Sequence, residues 1–219
     1  MSFSFEIPKD FSITLDLKKR QEKTILKISE NDLISNKEKL LSLFKKECID
    51  LHSWFYIIIY YYSKSDYSSF KKFSEELSKI DIEENPFYKD QKQIFIYISN
   101  ILSLFFHFIS LKSKTKEVFE NSNELSTSLV NQAEKIATFD PMTMICKGFL
   151  LFSKDDFEGS DRYFSNISDN PKNLEKNILI LAKLGRALCA YNLNNYKRAI
   201  EFFTSLIKDY DYYNENVLE

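Results

Sequence analysis

Apolar residues recur at three- and four-residue steps along most of the chain, and polar breaks fall between the runs. From Lys37 to Ser63 the positions Leu40, Phe44, Cys48, Leu51, Phe55 and Ile58 keep helical spacing, so the pattern predicts one long helix opened at Asn36. A second helix follows from Tyr67 to about Ile80, capped by Asp66 and closed before Asn85-Pro86. Asp90–Leu111 and Leu125–Phe139 form the next pair, with a polar loop or frayed helix end over Lys112–Asn123. Asp140-Pro141 and Asn170-Pro171 punctuate the remaining helices. Before residue 37 no helical period is sustained. Ile13-Thr14-Leu15-Asp16-Leu17 alternates and reads as extended chain or an edge strand, Pro8 holds Ile7 out of the helical region, and charged Asp16–Lys27 reads as a short helix.

One shape occurs three times. Trp54–Phe73, Ile145–Phe164 and Leu184–Phe203 each run from an apolar helix through a four-residue, mostly polar turn to an aromatic residue: Tyr67, Phe157 and Tyr196. Self-similar helix–turn–helix units mark a helical repeat array, and the nearest template is the tetratricopeptide repeat (TPR). With the turn aromatics in register, Ile58, Gly148 and Ala187 take the small-residue position of the first helix, and Phe70, Ser160 and Ala199 that of the second. The expected fold is all-α, a TPR-like right-handed superhelix of about four antiparallel hairpins with an extended N-terminal arm. The arm covers 1–36, the array 37–210 (hairpins at about 37–80, 90–139, 142–167 and 174–210) and a polar tail 211–219. The tail has no capping helix, which reads as a piece cut from a longer array open to self-association through its last hairpin.

Composition supports helices: 3 Gly and 4 Pro stand against 20 Phe and 13 Tyr in 219 residues, and 44% of the chain is hydrophobic. A net charge of -2 with interspersed signs gives no basic footprint for direct nucleic-acid binding. Three scattered cysteines, Cys48, Cys146 and Cys189, argue for a reducing compartment rather than a disulfide framework.

Candidate chemistry is sparse. Cys48 and His52 stand four apart, as metal ligands on one helix face do, but no second pair follows and no metal site is expected. His107 lies in an apolar run and reads as a core histidine. Asp155-Asp156 suits a capping turn, and Lys18-Lys19-Arg20 a solvated face. With so few glycines a phosphate-cradling loop is excluded, no nucleophile–base set is present, and neither enzyme nor cofactor is expected. Ile94–Leu111 runs 18 residues without a charge, which makes a membrane-anchored adaptor an alternative; a helix flanked on both sides within an array reads the same way.

The first helix of each hairpin lines the concave side of a TPR array. The groove positions are then Phe55, Ile59 and Tyr62 in the first unit, Ile145, Phe149 and Phe152 in the third, and Leu184, Leu188 and Tyr191 in the fourth. All nine are apolar or aromatic. A co-chaperone-type TPR that clamps a peptide carboxylate places Lys, Arg and Asn there. The groove therefore suits an apolar filler, either the chain's own arm or a segment of a partner protein, and the co-chaperone-type adaptor is the alternative binding module.

The order of the motifs resembles the N-terminal region of the TPR scaffold subunit of the polymerase-associated factor (PAF) complex. The likeness is carried by Ile7-Pro8, Ile13-x-Leu15-Asp16-Leu17, Leu51-His52-x-Trp54 with Tyr61-Tyr62, Tyr88-x-Asp90, Ala133-x-Lys135-Ile136 with Asp140, and Leu184-Gly185-x-Ala187 with Tyr196-x-x-Ala199. The chain departs from the family around Phe70 and in the loop 112–123. The resemblance implies a nuclear, non-enzymatic scaffold that holds other PAF-complex subunits, acts with RNA polymerase II in elongation, and supports histone modification.

Overall fold

A computed structural model describes residues 12–17, 22–112, 122–171 and 174–215. The expectations for Ile7-Pro8, for Lys18-Lys19-Arg20 and for most of the loop 112–123 lie outside them. Among the described residues are ten α-helices, one 3-10 turn and three short strands. The chain is all-α and TPR-like in its helical hairpins, and it divides into two compact units at Leu102/Ser103.

The N-terminal unit opens with strands β1 (Ser12–Leu17) and β2 (Glu22–Lys27), paired antiparallel. This corrects the short helix expected over Asp16–Lys27: Thr24 and Ile25 are β-branched, and the segment is satisfied by six register pairs with β1. Helix α1 (Glu30–Ser35) closes a capping box in which Ser29 and Asp32 bond each other's backbone N–H.

The long helix expected over Lys37–Ser63 is broken in two. Helix α2 (Lys37–Lys46) ends at Glu47, β3 (Cys48–Ile49) pairs with β1, and α3 (Leu51–Ser63) begins afresh. Periodicity misses the break because the buried residues Leu40, Phe44, Cys48 and Leu51 keep three- and four-residue steps across it. What makes it is local: Asp50 caps α3 through the Ser53 N–H at 2.9 Å. The Leu51 N–H donates to Gln91 Oε1 at 2.9 Å and the Ile49 N–H to Tyr88 Oη at 3.4 Å. The backbone groups freed by leaving the helix are thus partnered. Gln91 and Tyr88 belong to the 3-10 turn Pro86–Gln91, opened by Asn85. The core here is aromatic: Trp54 meets Phe44 edge-on at 4.7 Å, and Phe73 of α4 (Tyr67–Leu77) meets Phe44 at 5.7 Å and Tyr61 at 5.2 Å. Tyr61 Oη donates to the Leu33 carbonyl at 3.0 Å, tying α1 to α3.

Helix α5 (Lys92–Lys112) begins in this unit and ends in the next. In the C-terminal unit its last turns meet α6 (Ser122–Ile136) through the buried hydroxyl pair Ser103 and Ser126 at 2.7 Å. The hairpins α7 (Pro141–Phe152)/α8 (Phe157–Ser168) and α9 (Lys176–Asn192)/α10 (Tyr196–Glu215) follow. Helix α10 continues past Tyr210, where the polar tail was expected to start.

The three short turns share one geometry. Among the described residues, Ser65, Asp155 and Asn194 are the non-glycine residues at positive φ (58°, 61° and 60°), and each is the third residue of its turn. In each, the next residue's N–H reaches back five positions (Asp66 to Tyr61, Asp156 to Leu151, Asn195 to Ala190) and the left-handed residue's N–H reaches back three. This is a Schellman ending, which satisfies carbonyls that the helix leaves open. The same Asp or Asn then caps the following helix through Ser69, Gly159 or Arg198. The turn aromatic packs edge-on against the last aromatic of the first helix: Tyr62–Tyr67 at 6.1 Å, Phe152–Phe157 at 5.2 Å and Tyr191–Tyr196 at 5.7 Å.

Arg186 sits in the middle of apolar α9 and is buried. Its Nη1 donates to Asp169 at 2.7 Å and to Ser168 at 2.8 Å, its Nε to Asp161 at 3.3 Å, and its guanidinium lies over Phe202 at 4.6 Å. It joins α8, α9 and α10. Removing one partner of a buried ion pair commonly costs about 3–5 kcal/mol. Here Asp169 is 62% exposed and Asp161 keeps Arg198 at 3.5 Å. Arg186→Met is therefore expected to cost about 2 kcal/mol in denaturant titration, and lysine, lacking the planar fork, to restore little of it.

Candidate functional site

Helix α3 has two apolar sides. Leu51, Trp54, Ile57, Ile58 and Tyr61 are buried in the core. His52, Phe55, Tyr56 and Ile59, spaced at three and four residues, form a second stripe that the core does not cover. Opposite it stands the first part of α5. His52, Phe55, Tyr56, Gln93, Ile94 and Tyr97 line a groove of about 450 Å³. Tyr97 is 62% exposed and Tyr56 39%. The polar groups on the lining residues are those of His52 and Gln93 and the Tyr56 and Tyr97 hydroxyls, and no Lys or Arg lines it. Such a wall buries apolar side chains and carries no Lys or Arg fork to clamp a carboxylate or phosphate.

The nine expected groove positions separate into different roles. Phe55 lines the groove, and Ile59 is half-buried one turn further along the same stripe. Tyr62, Phe152 and Tyr191 are the aromatics that pack on the turn residues. Ile145 and Phe149 are core: they are 0% and 3% exposed, and Phe149 packs edge-on against Phe164 at 5.0 Å and beside His107 at 5.9 Å. They cannot touch a partner in this structure. Leu184 and Leu188 are half-buried along α9. The groove residues that sequence reasoning missed are Tyr56, Gln93, Ile94 and Tyr97. The second hairpin lacks the short turn that sets the register, so the repeat pattern gives its first helix no groove positions. The signal was present in the Ile94–Tyr97 step that faces the α3 stripe.

The other candidate features have structural explanations. Cys48 lies in β3 and is buried, whereas His52 is exposed on α3, so the two do not share a helix face. The Cys48 thiol accepts from Asn85 Nδ2 at 3.5 Å. Burial pushes the Cys146 and Cys189 thiols above their ordinary range, away from a reactive thiolate. Burial likewise holds the His107 imidazole below its ordinary value, in the neutral form of a core histidine. Within the uncharged run of α5, Ser99, Asn100, Ser103 and His107 are buried while Tyr97 is exposed. Its polar side faces protein, and no described helix is long and apolar enough to cross a membrane. Among the described residues no cluster of three His, Cys, Asp or Glu is placed to hold a metal. Asp156 is the cap of α8. On α10, Ile200 and Ile207 are exposed and seven apart, on one face.

No protein-family model matches the chain. It is similar to the protein "CTR9 homolog" of Arabidopsis thaliana, 30% identical over 173 residues, 75% of this chain and 15% of that protein. It is similar also to the "RNA polymerase-associated protein CTR9" of Caenorhabditis elegans, 26% identical over 204 residues, 90% of this chain and 17% of that one. The chain thus matches CTR9 proteins along most of its own length and spans about one sixth of theirs.

Proposed function

We propose that this CTR9-like repeat region is a non-enzymatic scaffold segment of an RNA polymerase-associated complex, and that it holds an apolar segment of another subunit in the α3/α5 groove. The complex is the PAF elongation complex, and the compartment the nucleus. The likeness to CTR9 proteins supports the setting. The single observation that carries the binding role is the groove itself, an apolar channel with Tyr97 and Tyr56 exposed on its rim. Exposed aromatics beside a preformed apolar channel are what binding hot spots consist of: large, rigid contact area at little entropic cost. The partner is the subunit that gives the complex its name.

The motif that carries the family resemblance fits this division of labour. Leu51 and Trp54 hold the core, and His52 between them turns to the groove. Tyr97→Lys tests the reading. Tyr97 is 62% exposed, so the substitution is expected to leave the melting temperature within a degree or two, because little packing is lost. Binding of the partner, followed by titration calorimetry, is expected to weaken about thirtyfold, roughly 2 kcal/mol for a central aromatic anchor. The binding of the unaltered chain should change little between low and moderate salt, since the walls carry no charge pair to screen. Undiminished affinity in Tyr97→Lys would remove the groove from the account.

A further inference from the structure

A second cavity, of about 330 Å³, is bounded by α2, α3, α4 and the 3-10 turn, and it shares no lining residue with the α3/α5 groove. Trp54 and Tyr88 are among its walls, 1% and 3% exposed. The Trp54 Nε1–H is buried and has no hydrogen-bond acceptor. The Tyr88 hydroxyl stands beside the indole without bonding it. Its oxygen accepts the Ile49 N–H at 3.4 Å, and its own proton remains to be donated. Buried donors are rarely left unmet in a folded protein, so two of them on one cavity point to an acceptor that enters it. Glu76 supplies the complement. Lys45 at 3.0 Å and Lys79 at 2.8 Å both bond its Oε1, and the side chain is 17% exposed. Its Oε2 carries neither contact and is left to accept. Glu47 and Asp81 line the cavity as well. Three carboxylates on the walls oppose an anionic ligand, and Lys45 and Lys79 oppose a cationic one.

We infer that this cavity binds a primary amide, whose carbonyl oxygen accepts from Trp54 Nε1–H and Tyr88 Oη–H and whose nitrogen donates to Glu76 Oε2. The group is neutral, its oxygen has two lone pairs for the two wall donors, and its nitrogen has two protons. A hydroxyl gathers donor and acceptor on one atom. The amide separates them, as a cavity many times the roughly 30 Å³ of a water molecule requires. The amide belongs either to a free small molecule or to a glutamine side chain of a polypeptide. The inference does not depend on the groove reading, since the two sites have no wall in common.

Trp54 is the one tryptophan of the chain, so its indole N–H gives a single NMR resonance that reports on the cavity wall. The full chain is titrated with propionamide, with propionate and propylammonium as the charged counterparts. Propionamide is expected to move the indole proton downfield, saturably, with a Kd in the millimolar range, as suits so small a ligand. The two ions are expected to bind at least about tenfold more weakly. Glu76→Gln removes the carboxylate acceptor from a set of rim ion pairs of little structural weight, and should weaken propionamide about tenfold. Tyr88→Phe should do the same, with the melting temperature showing that the fold is kept. N-acetylglutamine methylamide separates the two sources. Binding of it alongside propionamide assigns the amide to a polypeptide side chain, and its exclusion while propionamide still binds assigns a free small amide. No saturable shift with either amide, an equal shift with propionate, or unchanged affinity in both variants overturns the inference.

Discussion

Phe149→Asp is expected to unfold the C-terminal unit rather than to abolish a binding site. The ring is 3% exposed and held between Phe164 and His107, with Ile145 in the same cluster. Deleting a buried phenylalanine commonly costs about 3–5 kcal/mol. A carboxylate left in its place adds several more, because the site offers it an aromatic ring and a neutral imidazole in exchange for water. The sum is of the order of a domain's whole stability, about 5–15 kcal/mol. Circular dichroism melts should show the cooperative transition lost or lowered by tens of degrees. Phe139→Asp is the control: Phe139 is 86% exposed, and its replacement should leave the melt unchanged. A Phe149→Asp chain that melts like the unaltered one would mean that α7 packs differently.

The second large effect is expected at Gly185, where alanine, ordinarily a better helix former by about 1 kcal/mol, should destabilise. A Cβ built there meets three atoms of the Phe164 ring at 2.4, 2.5 and 2.5 Å. The ring has nowhere to retreat: on its other edge a Cβ at Gly148 would meet it at 2.6 Å, so the two glycines of α7 and α9 enclose it. Overpacking a rigid core costs about 1–3 kcal/mol, and an aromatic caught between two backbones belongs at the upper end. Gly185→Ala is expected to lose about 2–3 kcal/mol by denaturant titration. Phe164→Leu should partly rescue it, making the double variant more stable than Gly185→Ala alone, the non-additivity expected of groups in contact. A Gly185→Ala chain more stable than its parent would refute the close approach.

These two sites show what the sequence makes legible and what it conceals. The turns were legible because four polar residues between apolar helices, followed by an aromatic, admit few other structures. Their left-handed third residues were not, because Ser65, Asp155 and Asn194 stand where glycine usually signals that conformation. Gly185 was visible as part of a motif, but its reason, the Phe164 ring, comes from a different helix. Periodicity runs straight through the break at Glu47–Asp50, since the short strand Cys48–Ile49 is apolar and buried at both residues and so keeps the apolar spacing unbroken. The role of Arg186 is not legible in the sequence, because a charge inside an apolar helix reads as surface until its partners on α8 and its neighbour Phe202 on α10 are known. The groove was half legible. The α3 wall at Phe55 follows from the repeat register, whereas the α5 wall has no short turn to fix one. Ile145 and Phe149 are buried in the core, because a register says which positions are equivalent, not how deeply each hairpin buries them.

The wall formed by α3 and α5 is where we propose that a partner subunit lies. The most direct measurement places a photo-crosslinking benzoylphenylalanine at position 97, in the chain purified together with the subunit that names the PAF complex, and compares it with the same group at position 139. Both native residues are exposed aromatics, Tyr97 at 62% and Phe139 at 86%. An efficient crosslink from 97 to one apolar segment of the partner is expected, and none from 139. A stable complex with no crosslink from 97, or with equal crosslinking from both positions, would contradict it.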